Sequence, residues 1–417
     1  MIRRGDLHGR PCRGRCHWQG ERAPCTGDHE GRPYGSSKKQ EVTLKQEVTT
    51  VDYRSAIGRS RHDLTTPALI LDLDVARRNI VKMADYMRTV PAKLRPHIKV
   101  HKSPELGRMQ MEAGAAVGLT TATVWEAVVM VRGGIDDILI ANEVVGEEKI
   151  QALAELARDA HMTVAIDNTQ NAEDLSTAAL KAGSTLGVLI DLDVGMERCG
   201  VRNKEDALQL AEQVSQQRGL RFEGMMGYEG HCMLEPDPEL RVQKAHAAMD
   251  KLMEAVDFLA QAGFKSKVIS GGGTGTYNIT GANPRLTELQ AGSYVVMDAF
   301  HAQLVPGFPV ALTVLGTVIS RQGSRVVLDT GRKTVGSELG LPRLKDVPAA
   351  TASIAEEHLL VDVEPGYPLK VGDRVEVVSG YGPTTVNLHD VYYVVENDVV
   401  TDVWPIRARG AGLGPYG

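Results

Sequence analysis

Thr163-Val164-Ala165-Ile166 and Leu186-Gly187-Val188-Leu189-Ile190-Asp191 are two short apolar runs, and the chain between them reads as a helix reaching Ala182. Strand, helix, strand at this spacing is a βαβ unit whose strands lie parallel in one sheet. The alternation continues in both directions. Towards the N-terminus come a helix over Glu147–Ala160, a strand over Asp137–Ala141, a helix over Thr123–Arg132 and a strand over Gly118–Thr121. Before these lie a helix over Pro104–Ala113, a strand over Leu94–Val100, a helix over Val75–Met87 with Asp74 as its N-cap, and a strand over Ala68–Leu71. Towards the C-terminus come a helix over Lys204–Gln217, a strand over Arg221–Tyr228, a long helix over Glu239–Ala262 and a strand over Lys267–Ser270. So many units favour a closed, TIM-like (β/α)8 barrel over an open doubly wound sheet. No Gly-x-Gly-x-x-Gly follows the first strand, which argues against a dinucleotide fold.

After about Ala299 the pattern changes to β-type runs, Val310–Ser320, Ser324–Leu328, His358–Val363, Arg374–Val378 and Val391–Val395, with no long amphipathic helix between them. The expected fold class is therefore α/β: a disordered extension over residues 1–50, a barrel over 60–300 and a mostly β domain over 301–410. The sequence leaves open whether the run Leu64–Asp72 pairs with that second domain. The first 46 residues are rich in Arg, Gly and Pro and nearly free of aliphatic side chains, so they cannot bury a core. Cys12, Cys16 and Cys25 lie there at irregular spacing without a CxxC pair, a poor match to a zinc site. No apolar h-region marks a secretory signal, and the expected compartment is the cytoplasm. The 417-residue chain carries a net charge of −6, which excludes sequence-independent binding to nucleic acid. No apolar run approaches the ~20 residues that span a bilayer.

Barrels place their chemistry at the C-terminal ends of the strands. Four motifs fall there. In Arg95-Pro96-His97-Ile98-Lys99-Val100-His101-Lys102, strand geometry would put His97, Lys99 and His101 on one face. A lysine among potential cations gives up its proton near neutral pH and becomes a nucleophilic amine, as a Schiff base with pyridoxal phosphate requires. Ser270-Gly271-Gly272-Gly273-Thr274-Gly275-Thr276 has the small residues and hydroxyls of a phosphate cradle; a flexible turn is the alternative, and three glycines between Ser and Thr directly after a β-run favour the phosphate. Arg198, in Asp193-Val194-Gly195-Met196-Glu197-Arg198-Cys199-Gly200, suits a phenolic oxygen or a carboxylate, or simply a surface loop. Tyr228 could face a ring nitrogen or merely cap the barrel interior.

These four motifs, together with Glu288-Leu289-Gln290-Ala291-Gly292-Ser293-Tyr294 and Thr385-Val386-Asn387-Leu388, resemble the D-threonine aldolase / D-serine dehydratase family of fold type III pyridoxal-phosphate enzymes, relatives of the alanine racemases. The resemblance runs from about Thr65 to Arg409. It implies a pyridoxal-phosphate barrel followed by a β domain, a homodimer, and a small amino-acid substrate. It implies Lys99 as the residue carrying the cofactor, Arg198 on its O3′ side, Tyr228 at its ring nitrogen, and Gly272, Gly273 and Thr274 on its phosphate. Family members carry a metal-binding histidine, and an aspartate or cysteine two residues later, just before Thr-Val-Asn-Leu. Here those places hold Tyr381 and Pro383. Proline has no side-chain donor and tyrosine replaces imidazole poorly, so no divalent metal is expected. Without it, Tyr381 or a histidine such as His101 must provide acid/base catalysis. The expected activity is that of a lyase on β-hydroxy-D-amino acids, cleaving D-threonine-type substrates to glycine and an aldehyde or eliminating water from D-serine-type ones. A racemase or epimerase using Lys99 and Tyr381 is the alternative. Val124-Trp125, Phe300-His301 and Arg332-Lys333 are candidate pocket residues.

Overall fold

β-Branched and leucine side chains fill both faces of the central strands, and they do so because helices cover one face and the barrel interior the other. The computed structural model describes residues 52–410. The expectations for residues 1–50, the Cys12/Cys16/Cys25 group included, lie outside them. In chain order the first strands are β1 (Ala68–Asp72), β2 (Lys93–Leu94), β3 (Leu119–Thr121), β4 (Asp137–Glu143), β5 (His161–Ile166), β6 (Leu186–Asp191), β7 (Leu220–Gly227), β8 (Val268–Gly271) and β9 (Glu288–Leu289). Eight of them form one parallel sheet in the order β2-β9-β8-β7-β6-β5-β4-β3. Parallel bridges Leu94–Ala116 and His97–Thr120 then join the β2 segment to the β3 segment, so the sheet returns on itself.

The βαβ unit read first from the sequence shows how each turn of the barrel is made. Val164 registers with Val188 and Ile166 with Ile190. The connecting helix, Thr169–Ala182, starts where Asn168 Oδ1 accepts the Asn171 N–H at 2.9 Å and ends at Gly183, whose φ of 70° is left-handed. Its buried face of Ala172, Leu175 and Ala179 lies against the sheet. Leu175→Ala there would cost about 2–5 kcal/mol. At the ring's closure, Arg95 donates from Nε and Nη2 to Glu288 at 2.8 and 2.7 Å and from Nη1 to Asp137 at 2.6 Å. This buried, bidentate pair fixes the start of the lysine segment against β9. Removing one partner would leave a buried charge alone, a loss of about 3–5 kcal/mol.

β1 is not a barrel strand. It sits in the second sheet, antiparallel to Leu312–Gln322 (Ile70 against Thr313) and parallel to Val391–Glu396 (Ile70 against Tyr393). The helix after it is Leu73–Met87, capped by Asp72 rather than Asp74: Asp72 Oδ1 accepts the Val75 N–H at 3.1 Å. The second sheet continues through Arg325–Leu328, Leu359–Val363 and Ala349–Ile354 on one side and Val399–Pro405 on the other. A short helix, Gly382–Asn387, interrupts its strands and packs on the lysine segment. None of the described helices is long and apolar enough to cross a membrane.

Candidate active site

The C-terminal ends of the barrel strands open on a cavity of about 220 Å3. Lys99, Arg198, Tyr228, Gly272, Gly273, Thr274 and Tyr381 line it together, as do His97, Gln290, Ser293 and His301.

The lysine does not ride on a strand. The regular strand ends at Leu94, Pro96 offers no N–H to a ladder, only an isolated bridge at His97 follows, and Ile98–Val100 form a 3-10 turn. His97 caps that turn, its Nδ1 accepting the Lys99 N–H at 3.5 Å. The expected shared face therefore breaks down. His97 lines the cavity with Lys99, whereas His101 is turned into the core. Its Nδ1 accepts the Ser103 N–H at 3.2 Å and its Nε2–H donates to Gln110 Oε1 at 3.1 Å. Burial brings the His101 ring down to about 4, Lys102 adding to the effect against the Gln110 bond. Such a ring is neutral and out of reach of the cavity. Lys99 is held below its usual 10.5, mainly by burial, with Arg198 and Lys102 acting in the same direction and Glu126 opposing. Lys102 itself is paired with the buried Glu126.

The glycine-rich loop is organised from beneath by a residue given no role above. Glu229 is fully buried, and its carboxylate accepts the Gly272 N–H at 3.1 Å, the Thr276 hydroxyl at 2.8 Å and the Thr280 hydroxyl. The Gly273 N–H is taken by Thr276 Oγ1 at 3.3 Å. So the N–H groups of Gly272 and Gly273 do not face the cavity, contrary to a simple cradle. Thr274 does, its Oγ1 accepting the Tyr294 N–H at 3.1 Å and its own hydroxyl proton left to donate. Ser293 lies across the cavity with a hydroxyl that has no protein partner among the described residues. Gly272 has φ of 77°, and a Cβ there would sit 2.4 Å from Leu289 Cδ1. Ser270 is not among the lining residues; its Oγ accepts from Gln290 Nε2 at 2.9 Å, and Gln290 reaches the cavity.

Arg198 is exposed and carries no ion pair among the described residues. Its guanidinium and the Lys99 ammonium lie 5.6 and 5.8 Å from the Tyr228 ring centre. Burial, then Glu229 and Tyr381, push the Tyr228 phenol up, against Arg198. Tyr381 stands at the N-terminus of the short helix Gly382–Asn387, its phenol raised by burial and then by Asp298 and Glu338. Asp298, 1 % exposed, accepts three donors: His301 Nδ1–H at 2.8 Å, the His301 backbone N–H at 2.8 Å and the Gly382 N–H at 2.9 Å. Of the candidate pocket residues only His301 lines the cavity. Trp125 faces a groove outside the barrel, Arg332 donates to the Ile354 carbonyl at 3.2 Å, and Lys333 pairs with Glu357. Among the described residues no three His, Cys, Asp or Glu side chains come together as metal ligands would.

With this geometry in place, the comparisons are specific. The model of the alanine racemase N-terminal domain matches residues 71–299, and that of a putative serine dehydratase domain matches 311–395. The 3-hydroxy-D-aspartate aldolase of Paracoccus denitrificans (strain Pd 1222) is 38% identical over 369 residues, which is 85% of this chain and 95% of the relative. The D-threonine aldolase of an Arthrobacter species is 38% identical over 352 residues, 83% of this chain and 93% of the relative. The crystal structure of D-threonine aldolase from Filomicrobium marinum superposes with a TM-score of 0.82 at 37% identity, covering 85% of this chain and 98% of that one.

Proposed function

We propose, for a chain that belongs to the D-threonine aldolase / D-serine dehydratase family, that it is a pyridoxal-phosphate-dependent lyase cleaving β-hydroxy-D-amino acids of the D-threonine type to glycine and an aldehyde. The observation that carries this reading is the lining of one cavity by a lysine of lowered pKa, a hydroxyl-bearing glycine loop and a buried tyrosine. The cofactor fits these residues. Thr274 and Ser293 present hydroxyls to the cavity, and Gly273 carries no side chain beside them, where a Cβ would lie 3.5 Å from the Tyr228 ring. Lys99 is the covalent attachment point, Arg198 the group on the O3′ side and Tyr228 the partner of the ring nitrogen. When bound, pyridoxal phosphate withdraws the electron density released at the substrate's Cα. The protein's part is to keep the Lys99 amine unprotonated, to hold the substrate, and to move the β-hydroxyl proton.

A divalent ion at the expected family position does not fit the donors present. Tyr381 and Pro383 stand there, and the phenol of Tyr381 is raised rather than lowered. Among the described lining residues Arg198 is the sole arginine, so beside Lys99 the cavity offers one fixed cation. We further expect a cytoplasmic homodimer, which sedimentation of the purified protein checks for its assembly.

A second reading is a two-base racemase, favoured by the presence of Tyr381 in the same cavity as Lys99. Proton NMR in D2O of protein loaded with pyridoxal phosphate separates the two, with D-threonine, D-serine and D-alanine tested with and without EDTA. Glycine and acetaldehyde from D-threonine, undiminished by EDTA, support the metal-free lyase. Loss of the α-proton signal without fragmentation supports the racemase.

A further inference from the structure

Cleavage of a Cα–Cβ bond next to a hydroxyl needs a base at that hydroxyl, and Lys99 is already given to the cofactor and to the α-carbon. Four histidines and a tyrosine in or near the cavity carry a basic atom. His231, on the loop after Tyr228, is not part of the cavity lining and sets its Nε2 3.6 Å from Cys232 Sγ. His101 is outside. His97 has its Nδ1 engaged at the Lys99 N–H, and burial together with Lys99 and Lys102 makes it a weak base. Tyr381 holds its proton more tightly than a free phenol, which suits a donor rather than a base. His301 is different. Asp298 can only accept, so the His301 Nδ1 at 2.8 and 3.0 Å from its two carboxylate oxygens carries the ring proton. Nε2 is then the ring's other nitrogen, free to take a proton whenever the ring carries only the one on Nδ1, and it has no protein partner among the described residues. The ring lies on the cavity wall, 6.2 Å from and nearly parallel to that of Tyr381 at 19°.

The imidazole cannot swing away. The Asp298 carboxylate that holds Nδ1 also caps the helix Ala299–Leu304 carrying His301 and accepts the Gly382 N–H beside Tyr381. One buried carboxylate thus fixes the histidine, on the helix that follows the last barrel strand, and the tyrosine, on the short helix between strands of the second sheet. Histidine base, orienting carboxylate and adjacent phenol make a complete proton-handling set.

We propose that His301, oriented by Asp298 and flanked by Tyr381, is the general base that takes the β-hydroxyl proton of the substrate. The inference rests on the lyase reading. The O–H electron pair becomes the second bond of the aldehyde carbonyl as Cα–Cβ breaks, and the Cα–Cβ pair stays on Cα, which then takes one proton. One β-hydroxy amino acid gives one glycine and one aldehyde, without oxidant or reductant. Asp298 is a positioning residue.

The test uses the holoenzyme and its His301→Asn variant, which keeps a donor towards Asp298 and deletes the base. Expected are a fall of about 10^2- to 10^4-fold in kcat for D-threonine cleavage, a KM within a few-fold, and retained exchange of the D-alanine α-proton for deuterium, which needs Lys99 but not His301. If His301→Asn cleaves D-threonine as fast as the parent, the proposal is overturned while the lyase reading stands. If the parent itself exchanges α-protons but cleaves no β-hydroxy-D-amino acid, the lyase reading fails and takes the base with it. Should His301→Asn not fold, nitrogen-15 NMR of the parent's labelled imidazoles decides. A neutral ring with the proton on Nδ1, lost in Asp298→Asn, supports the assignment. A ring protonated at Nε2 alone overturns it.

Discussion

Lys99 owes its chemistry to where its ammonium has been placed. Burial disfavours the charged form, and Arg198 and Lys102 disfavour it further. The free amine therefore exists at lower pH than in an ordinary lysine. The rate at which apo-protein captures pyridoxal phosphate, followed by absorbance or by borohydride trapping, should rise with pH and level off with a midpoint below 10.5. Arg198→Met removes one repulsive neighbour and should move that midpoint up; an unmoved midpoint would leave burial as the whole cause. The same shift has a stability consequence. With the folded-state value depressed, the unfolded chain binds more protons between that value and 10.5. Apo-protein stability should rise with pH through this window, and below it the native state carries the full penalty of a buried ammonium. Lys99→Met lifts the penalty, so at pH 7 the apo variant should melt higher, by about 2 °C for each ~1 kcal/mol relieved. Calorimetry at pH 7 and at pH 10 checks the sign, since the advantage of the variant must shrink at the higher pH.

The glycine loop works as an element because one carboxylate below it gathers donors from three residues. Glu229→Gln would turn one accepting oxygen into an N–H2 facing Gly272, Thr276 or Thr280, which are donors themselves. A buried donor left against a donor costs about 1–3 kcal/mol, so affinity for pyridoxal phosphate should fall roughly 10-fold or more in a fluorescence titration. An unchanged affinity would mean that the loop keeps its form without Glu229. At this scale the sequence was readable where periodicity alone decides structure. The strand at Leu186–Asp191 and the helix after Thr169 are long, regular and buried on predictable faces. It was misleading at Leu94–Val100, where Ile, Val and His have β character but Pro96 and a cap from His97 favour a turn. Glu229 was hidden for a different reason. Its partners lie 43 to 51 residues away, and no local pattern distinguishes a glutamate that faces a loop from one that faces water. Asp298 gave a faint signal as an N-cap three residues before His301, but its bond to Gly382 spans 84 residues.

Across the whole molecule, the second sheet completes the site it seems remote from in sequence. It takes in β1 from before the barrel, which no one-dimensional pattern of the 68–72 run could reveal because an apolar strand suits either sheet. It delivers Tyr381 and Gly382 to Asp298, and through Tyr392 it braces the lysine turn. Tyr392 is fully buried on Val391–Glu396, and its hydroxyl donates to the His101 carbonyl at 2.6 Å, 291 residues away. That carbonyl belongs to the residue that caps the turn presenting Lys99, whose own N–H bonds the Ile98 carbonyl at 3.0 Å. Tyr392→Phe would leave it buried without its donor, at about 1–3 kcal/mol, and the melting temperature should fall by several degrees. The neighbouring Tyr393 points to the opposite face of the same strand, where its ring meets Tyr53 at 6.4 Å between centres. Tyr393→Phe should therefore leave both the rate of cofactor capture and its pH midpoint unchanged. If the β domain positions the lysine, Tyr392→Phe will slow capture and lower kcat while KM changes little. If it only adds stability, Tyr392→Phe will melt earlier yet capture the cofactor at the parent's rate at temperatures well below its own transition.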